Sequence, residues 1–158
     1  MMMNDNELSS LLDDFSKQRR SRIVAMQSVY NIEFIEDQDA MLISLDNNIS
    51  LYLEGRKNPE RYLNRDLICK IFNYALENYK NLNFEIIKYL KNEDSFEGLS
   101  QNIKAILRSA ISEIIVFPET DSPIIINEYT DISKEFESLE KSKFINAILD
   151  KAAKSLRS

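Results

Sequence analysis

The sequence predicts an all-α domain, and three observations carry that expectation. Only 2 Gly and 3 Pro punctuate 158 residues, so tight hairpins find few turn residues. Apolar residues recur at three- and four-residue spacing through most of the chain, the period of a helix with one buried face. A hydrophobic fraction of 44% beside 29% charge supplies one self-sufficient core, since a domain of this length buries about 70% of the surface its unfolded chain exposes.

The elements follow in order. Residues 1–16 read as an acidic extension with Asp5, Glu7, Asp13 and Asp14 and no base; Leu8, Leu11, Leu12 and Phe15 have the spacing of a short helix. A longer helix is expected over about 17–35, with Ile23, Met26, Tyr30 and Phe34 inward. A third covers about 39–54 with Met41, Leu42, Leu45, Ile49 and Leu53. Gly55–Pro59 reads as a loop. Helices are then expected over 60–78 (Leu63, Leu67, Ile71, Tyr74, Leu76) and 80–91 (Leu82, Phe84, Ile87, Leu90), and Asn92–Gly98 is a polar connection.

The clearest period lies at about 99–117, where Ile103, Ile106, Leu107, Ala110, Ile111, Ile114 and Ile115 hold one stripe. A two-proline turn follows, with Ser122 suited to the N-cap and Pro123 to the first helical position. That helix runs to Phe136 with Ile125, Tyr129, Ile132 and Phe136 inward. A last helix, about 140–156, presents Phe144, Ile145, Ile148, Leu149, Ala152 and Leu156. The whole reads as an extension, 1–16, and one compact helical domain of about seven helices, 17–158.

Composition closes most routes to an enzyme. With 0 His, Ser-His and Cys-His mechanisms and imidazole-based zinc sites are excluded. The single Cys69 forms no internal disulfide, and among Leu67, Ile68 and Ile71 it reads as a small buried hydrophobe. Two isolated glycines make no phosphate-cradling loop. Glu113 and Glu128 stand on adjacent predicted helices but lack the Glu-x-x-His pairs of a helical di-iron site, so surface pairing or capping is the plainer reading. No catalytic residue, metal or cofactor is expected. No run of about 18 apolar residues crosses a membrane, and MMMNDNELSS lacks the basic start and apolar stretch of a secretory signal. A reducing cytoplasm is the expected location.

The net charge of −6 argues against general nucleic-acid binding but leaves room for a local basic patch. Lys17, Arg19, Arg20 and Arg22 form one. With a helix beginning near Ser16 they would crowd its positive end, costing about 0.3–1 kcal/mol each, a cost that phosphate would offset. The alternatives are a solvated charged face or pairing with Asp13 and Asp14. Tyr62, Tyr74, Tyr79 and Tyr89 suit packing, with base stacking as the minor reading.

Several stretches resemble the NusB family. RRSRIVAMQSVYNIEF (Arg19–Phe34) resembles its arginines followed by an A-x-Q-x-L-Y element, here Ala25, Gln27, Val29 and Tyr30. KAILRSAISEI (Lys104–Ile114), PIIINEYTDISKEF (Pro123–Phe136) and KSKFINAILDKAAKSLR (Lys141–Arg157) resemble its L-R-x-A-x-x-E-L, V-I-N-E-A-x-E-x-A-K-x-F and K-F-V-N-G-V-L-D-K elements in order and spacing. Residues 37–98 are similar in pattern only. The resemblance implies seven helices in two small bundles and a non-enzymatic transcription antitermination factor. It implies binding to boxA-type single-stranded RNA with the ribosomal protein NusE, within an RNA polymerase antitermination complex acting on ribosomal RNA transcription.

Carried over by residue, the RNA-contacting set is Lys17, Arg19, Arg20, Arg22, Tyr89, Lys143 and Phe144. Three positions depart from or mark the pattern: Glu137 replaces a helix-ending glycine, Ala147 replaces a close-packing glycine, and Glu140 stands at the acidic position before the last helix. Glu93, Asp94 and Glu97 are expected to receive the basic ribosomal partner, a placement motivated by the local acidic excess. The extension's acids could compete with RNA for the arginines. Free protein is expected as a monomer or a homodimer. Two rival readings are an RNA methyltransferase, for whose cofactor domain 158 residues leave no room, and an acidic helical adaptor that binds proteins only.

Overall fold

A computed structural model describes residues 4–91 and 95–158, without the side chains of 9–13 and 59. It is all-helical: α1 (Asp5–Tyr30), a 3-10 turn (Asn31–Glu33), α2 (Gln38–Leu53), α3 (Pro59–Tyr62), α4 (Arg65–Ile87), α5 (Gln101–Val116), α6 (Ser122–Phe136) and α7 (Leu139–Leu156). Among the described residues no helix is long and apolar enough to cross a membrane.

Helix α5 is the axis of the fold. It packs against α1, α4, α6 and α7, and every residue from Ile103 to Ile114 is buried. The expected apolar stripe is there, but the polar face is buried too: Lys104, Arg108, Ser109, Ser112 and Glu113. Ser100 caps the helix, its side chain accepting from the Ile103 amide at 3.2 Å. At the far end Arg157, just past α7, donates to the carbonyls of Thr120, Ile114 and Phe117 and so locks the α5–α6 turn.

Several expectations need correcting. The extension and the first long helix are one continuous helix, started at Asn4, whose side chain accepts from the Glu7 amide while Glu7 accepts from the Asn4 amide. That reciprocal pair satisfies two amides at the helix start. The basic cluster therefore lies mid-helix, and the macrodipole penalty expected for it does not arise. The acids of the extension share this helix with the arginines; the side chains of Leu11, Leu12 and Asp13 lie outside the described residues.

The inward face of α1 is also rotated from the expected one. Arg22, Ala25, Met26 and Val29 are buried, Ile23 is half-buried, and Tyr30 and Phe34 are exposed. Because the helix tightens into a 3-10 turn after Tyr30, a 3.6-residue stripe cannot extend to Phe34. Helices expected at 60–78 and 80–91 are a short α3 and a single α4, kinked at Asn78. There the Asn78 side chain donates to the Tyr74 carbonyl at 3.0 Å, the kind of side-chain intrusion that bends a helix. Past the kink Phe84 and Ile87 face solvent, as do Leu42, Phe136 and Leu156 elsewhere. Asp121, not Ser122, is the α6 N-cap, and Pro123 falls within the first turn.

Candidate nucleic-acid interface

The arginine-rich segment divides by side chain. Arg22 is 6% exposed. Its Nε and Nη2 reach the two Glu113 carboxylate oxygens at 2.9 and 2.8 Å, and Tyr129 Oη donates to the same carboxylate at 3.0 Å. Burial is the largest influence on the Arg22 guanidinium and pulls its pKa down, but Glu113 overrides it and the value ends above the ordinary one. Burial also drives the Tyr129 hydroxyl well above its ordinary pKa, with Glu113 adding to it. This pair joins α1, α5 and α6 inside the core. Arg22 is thus closed to an RNA phosphate, and a bidentate carboxylate already occupies its donors.

Arg19 is partly accessible and paired with α6. Its Nε donates to Glu128 at 2.9 Å and its Nη2 to Asp131 at 3.2 Å; the Glu128 hydrogen bond raises its pKa. The two carboxylates expected to pair at the surface, Glu113 and Glu128, are therefore the internal counterions of this cluster. Arg20 differs: its Nε donates to the Tyr62 carbonyl at 3.1 Å and its guanidinium lies 5.8 Å from the Tyr62 ring centroid. Lys17 is half-buried beside Asn58, Glu60, Arg61 and Arg65. Neither Lys17 nor Arg20 forms an ion pair with a described residue.

The remaining expected contacts lie elsewhere. Arg65 opens α4 and Tyr89 follows its end, so about 35 Å of helix separates the two positions. Near the Tyr89 end, a hollow of about 380 Å³ is lined by Lys91, Ser95, Gly98, Leu99, Glu140, Lys141 and Phe144. Phe144 is half-buried, with its ring 5.8 Å from Lys141 Nζ. Lys143 is exposed, and Tyr89 is half-buried with its hydroxyl on Glu85 at 3.3 Å. The structure thus unites Phe144 with Lys141 and Lys91, which were not singled out in the sequence. Of the acidic set, Glu97 is exposed on the turn before α5, while Glu93 and Asp94 lie outside the described residues.

The departing positions have local explanations. Glu137 ends α6 with φ −137° and ψ 167°, extended backbone that any residue adopts. Its carboxylate accepts from Ser100 Oγ at 2.7 Å, beside the positive end of α5. Ala147 is exposed, so its methyl does not occupy the expected close-packed position. Glu140 is exposed at the hollow.

A second charged cluster was missed. Arg108 is 1% exposed; it donates to Glu33 at 2.5 Å and to Asn83 at 2.9 Å. Lys104 Nζ lies 3.8 Å from the same carboxylate, and Phe96 covers both cations. Burial pushes the Glu33 carboxyl up, yet the Arg108 hydrogen bond prevails and holds it below its ordinary value. The available signal was Lys104 and Arg108 one helical turn apart inside the stretch with the clearest apolar period. Among the described residues no group of three His, Cys, Asp or Glu could hold a metal ion.

The NusB family model matches residues 19–154. The chain belongs to the NusB family. It is similar to the transcription antitermination protein NusB of Rickettsia bellii (strain OSU 85-389), 28% identical over 142 residues that cover 87% of this chain and 90% of that one. NusB of Rickettsia massiliae (strain Mtu5) is 28% identical over 145 residues, covering 88% and 92%. The solved structure of T. maritima NusB superposes with a TM-score of 0.68 at 24% identity, over 86% of this chain and 89% of that one. The family match runs from the middle of α1 to near the end of α7. A regulatory, non-enzymatic protein is what membership of this NusB family entails.

Proposed function

We propose that this NusB-family chain is a cytoplasmic transcription antitermination factor. It binds boxA-type single-stranded RNA together with the ribosomal protein NusE, in an RNA polymerase complex acting on ribosomal RNA transcription. The observation that carries the reading is Phe144, an aromatic left half-buried in the first turns of α7, beside Lys141 and next in sequence to the exposed Lys143, at a hollow that Lys91 also lines. An exposed ring stacks on an unpaired base, and nearby cations position the phosphates. Lys17 and Arg20 supply further cations, and Arg19 contributes by its exposed edge. Arg22 supports the fold that holds them.

The protein-only adaptor remains the second reading, favoured by the internal pairing of Arg19 and Arg22 and the net charge of −6. The deciding experiment is binding of a fluorescent boxA-type RNA and of a scrambled RNA, each with and without NusE. Selective strengthening of boxA-type binding by NusE supports antitermination through RNA. Binding to NusE with no RNA affinity makes the protein an adaptor. Glu97 is proposed to face NusE, and its charge reversal should weaken that contact.

A further inference from the structure

The segment between α2 and α4, expected to be only a loop and the start of a helix, builds a second basic surface. Gly55, at φ +74°, turns the chain out of α2, and Asn58, at φ +57°, turns it into α3. This path brings Arg56, Arg61 and Arg65 beside Lys17 and Arg20 of α1. Tyr52 and Tyr62 serve as platforms: the Arg56 guanidinium lies 4.5 Å from the Tyr52 ring and 5.5 Å from that of Tyr62, and Arg20 approaches Tyr62 at 5.8 Å. Arg56 also donates to the Tyr52 carbonyl. Lys17, Asn58, Glu60, Arg61 and Arg65 line one hollow.

These cations are held differently from the carboxylate-paired ones. Arg19, Arg22 and Arg108 are fixed by carboxylates. Arg20 and Arg56 are fixed by rings and backbone carbonyls, and none of Lys17, Arg20, Arg56, Arg61 and Arg65 has an ion pair with a described residue. Stacking orients a guanidinium without neutralising it, so its remaining donors stay available to an external anion. One carboxylate, Glu60, shares the hollow. In a chain of net charge −6, five cations on one face with no ion pair to a described residue are a marked local excess.

We infer that this surface binds the phosphate backbone of the single-stranded RNA where it continues beyond the segment held at Phe144. The inference rests on the RNA-binding reading above. RNA is favoured over an acidic protein because four of the five cations are arginines, tyrosine rings are interleaved with them, and the patch is continuous with the arginine-rich segment of α1.

The test uses the full chain and Arg61→Ala/Arg65→Ala; both residues are exposed. Probes are a fluorescent boxA-type RNA alone, and the same RNA extended at its 5′ or 3′ end by an unstructured uridine tract long enough to span α4. Against one extended RNA, the variant should bind more weakly and lose about 1.4 from the salt slope, two phosphates at about 0.7 each. It should bind the unextended RNA as the wild type does, with an unchanged melting temperature. If wild type and variant bind both extended RNAs alike, the inference is overturned and the patch suits an acidic protein partner. If the wild type binds no RNA at all, the inference falls together with the reading it rests on.

Discussion

Arg22 and Arg61 are the same residue type put to opposite use. Arg22 lies inside the protein against both oxygens of Glu113; Arg61 stands at the surface with no carboxylate partner among the described residues. The first comes from the densest basic run in the sequence, the second from a stretch that reads as a helix start beside a loop. Density of like charge along a chain says little about density on a surface, because a helix turns successive side chains in different directions. Arg19, Arg20 and Arg22 are directed respectively to α6, to Tyr62 and into the core.

The largest effect should come from the buried pair. Glu113→Gln leaves Arg22 with an uncompensated buried charge, and breaking such a pair costs about 3–5 kcal/mol. The melting temperature should fall by roughly 10 °C for a chain of this size. Arg22→Met/Glu113→Leu, which removes both charges, should recover part of that loss, the Tyr129 hydroxyl being left without its acceptor. A double variant as unstable as the single one would show that the charges themselves stabilise the fold.

Glu33→Gln comes next, at about 3 kcal/mol, since it strips Arg108 and Lys104 of their counterion. Its pH dependence has a definite sign. The folded Glu33 carboxyl titrates below its ordinary value, so on acidification the unfolded chain takes up the proton first. The stabilisation is full above the unfolded value of about 4.3 and is lost as pH falls through the folded value. In urea unfolding, the gap between wild type and Glu33→Gln should therefore narrow below about pH 4.3.

Phe144→Ala should weaken RNA binding about 5- to 150-fold, as base–aromatic stacking contributes about 1–3 kcal/mol per base, with a smaller loss of stability than a fully buried Phe→Ala because the ring is only partly buried. Smallest in stability is Arg61→Ala, expected within about 0.5 kcal/mol of wild type. A large loss of stability there would erase the contrast with Arg22.

The helical fold was legible because one signal, three- and four-residue spacing, marks each long helix. Ile103, Ile106, Leu107, Ala110, Ile111 and Ile114 on α5, Ile125, Tyr129 and Ile132 on α6, and Ile145, Ile148, Leu149 and Ala152 on α7 are buried as expected. Phase failed where a helix changes character: α1 passes into a 3-10 turn after Tyr30, and α4 bends at Asn78. Periodicity assumes a straight, uniform helix, so neither event is visible to it. At the candidate site, Phe144 and Lys143 were named from motif resemblance, and of the two Phe144 lines the hollow. The role of Arg22 was not, since its partner Glu113 stands 91 residues away and nothing local pairs them. The Lys91 and Lys141 neighbours of Phe144, and the Arg56, Arg61 and Arg65 surface, depend on how loops return to the bundle, and hydrophobic spacing carries no record of that.

The most direct test titrates boxA-type RNA, with NusE, against three proteins: wild type, Arg22→Met/Glu113→Leu, and Lys143→Ala/Phe144→Ala. The account predicts that the first two bind alike and the third binds at least about tenfold more weakly while staying folded. A folded Arg22→Met/Glu113→Leu protein that loses RNA binding, beside a Lys143→Ala/Phe144→Ala protein that keeps it, would contradict the account.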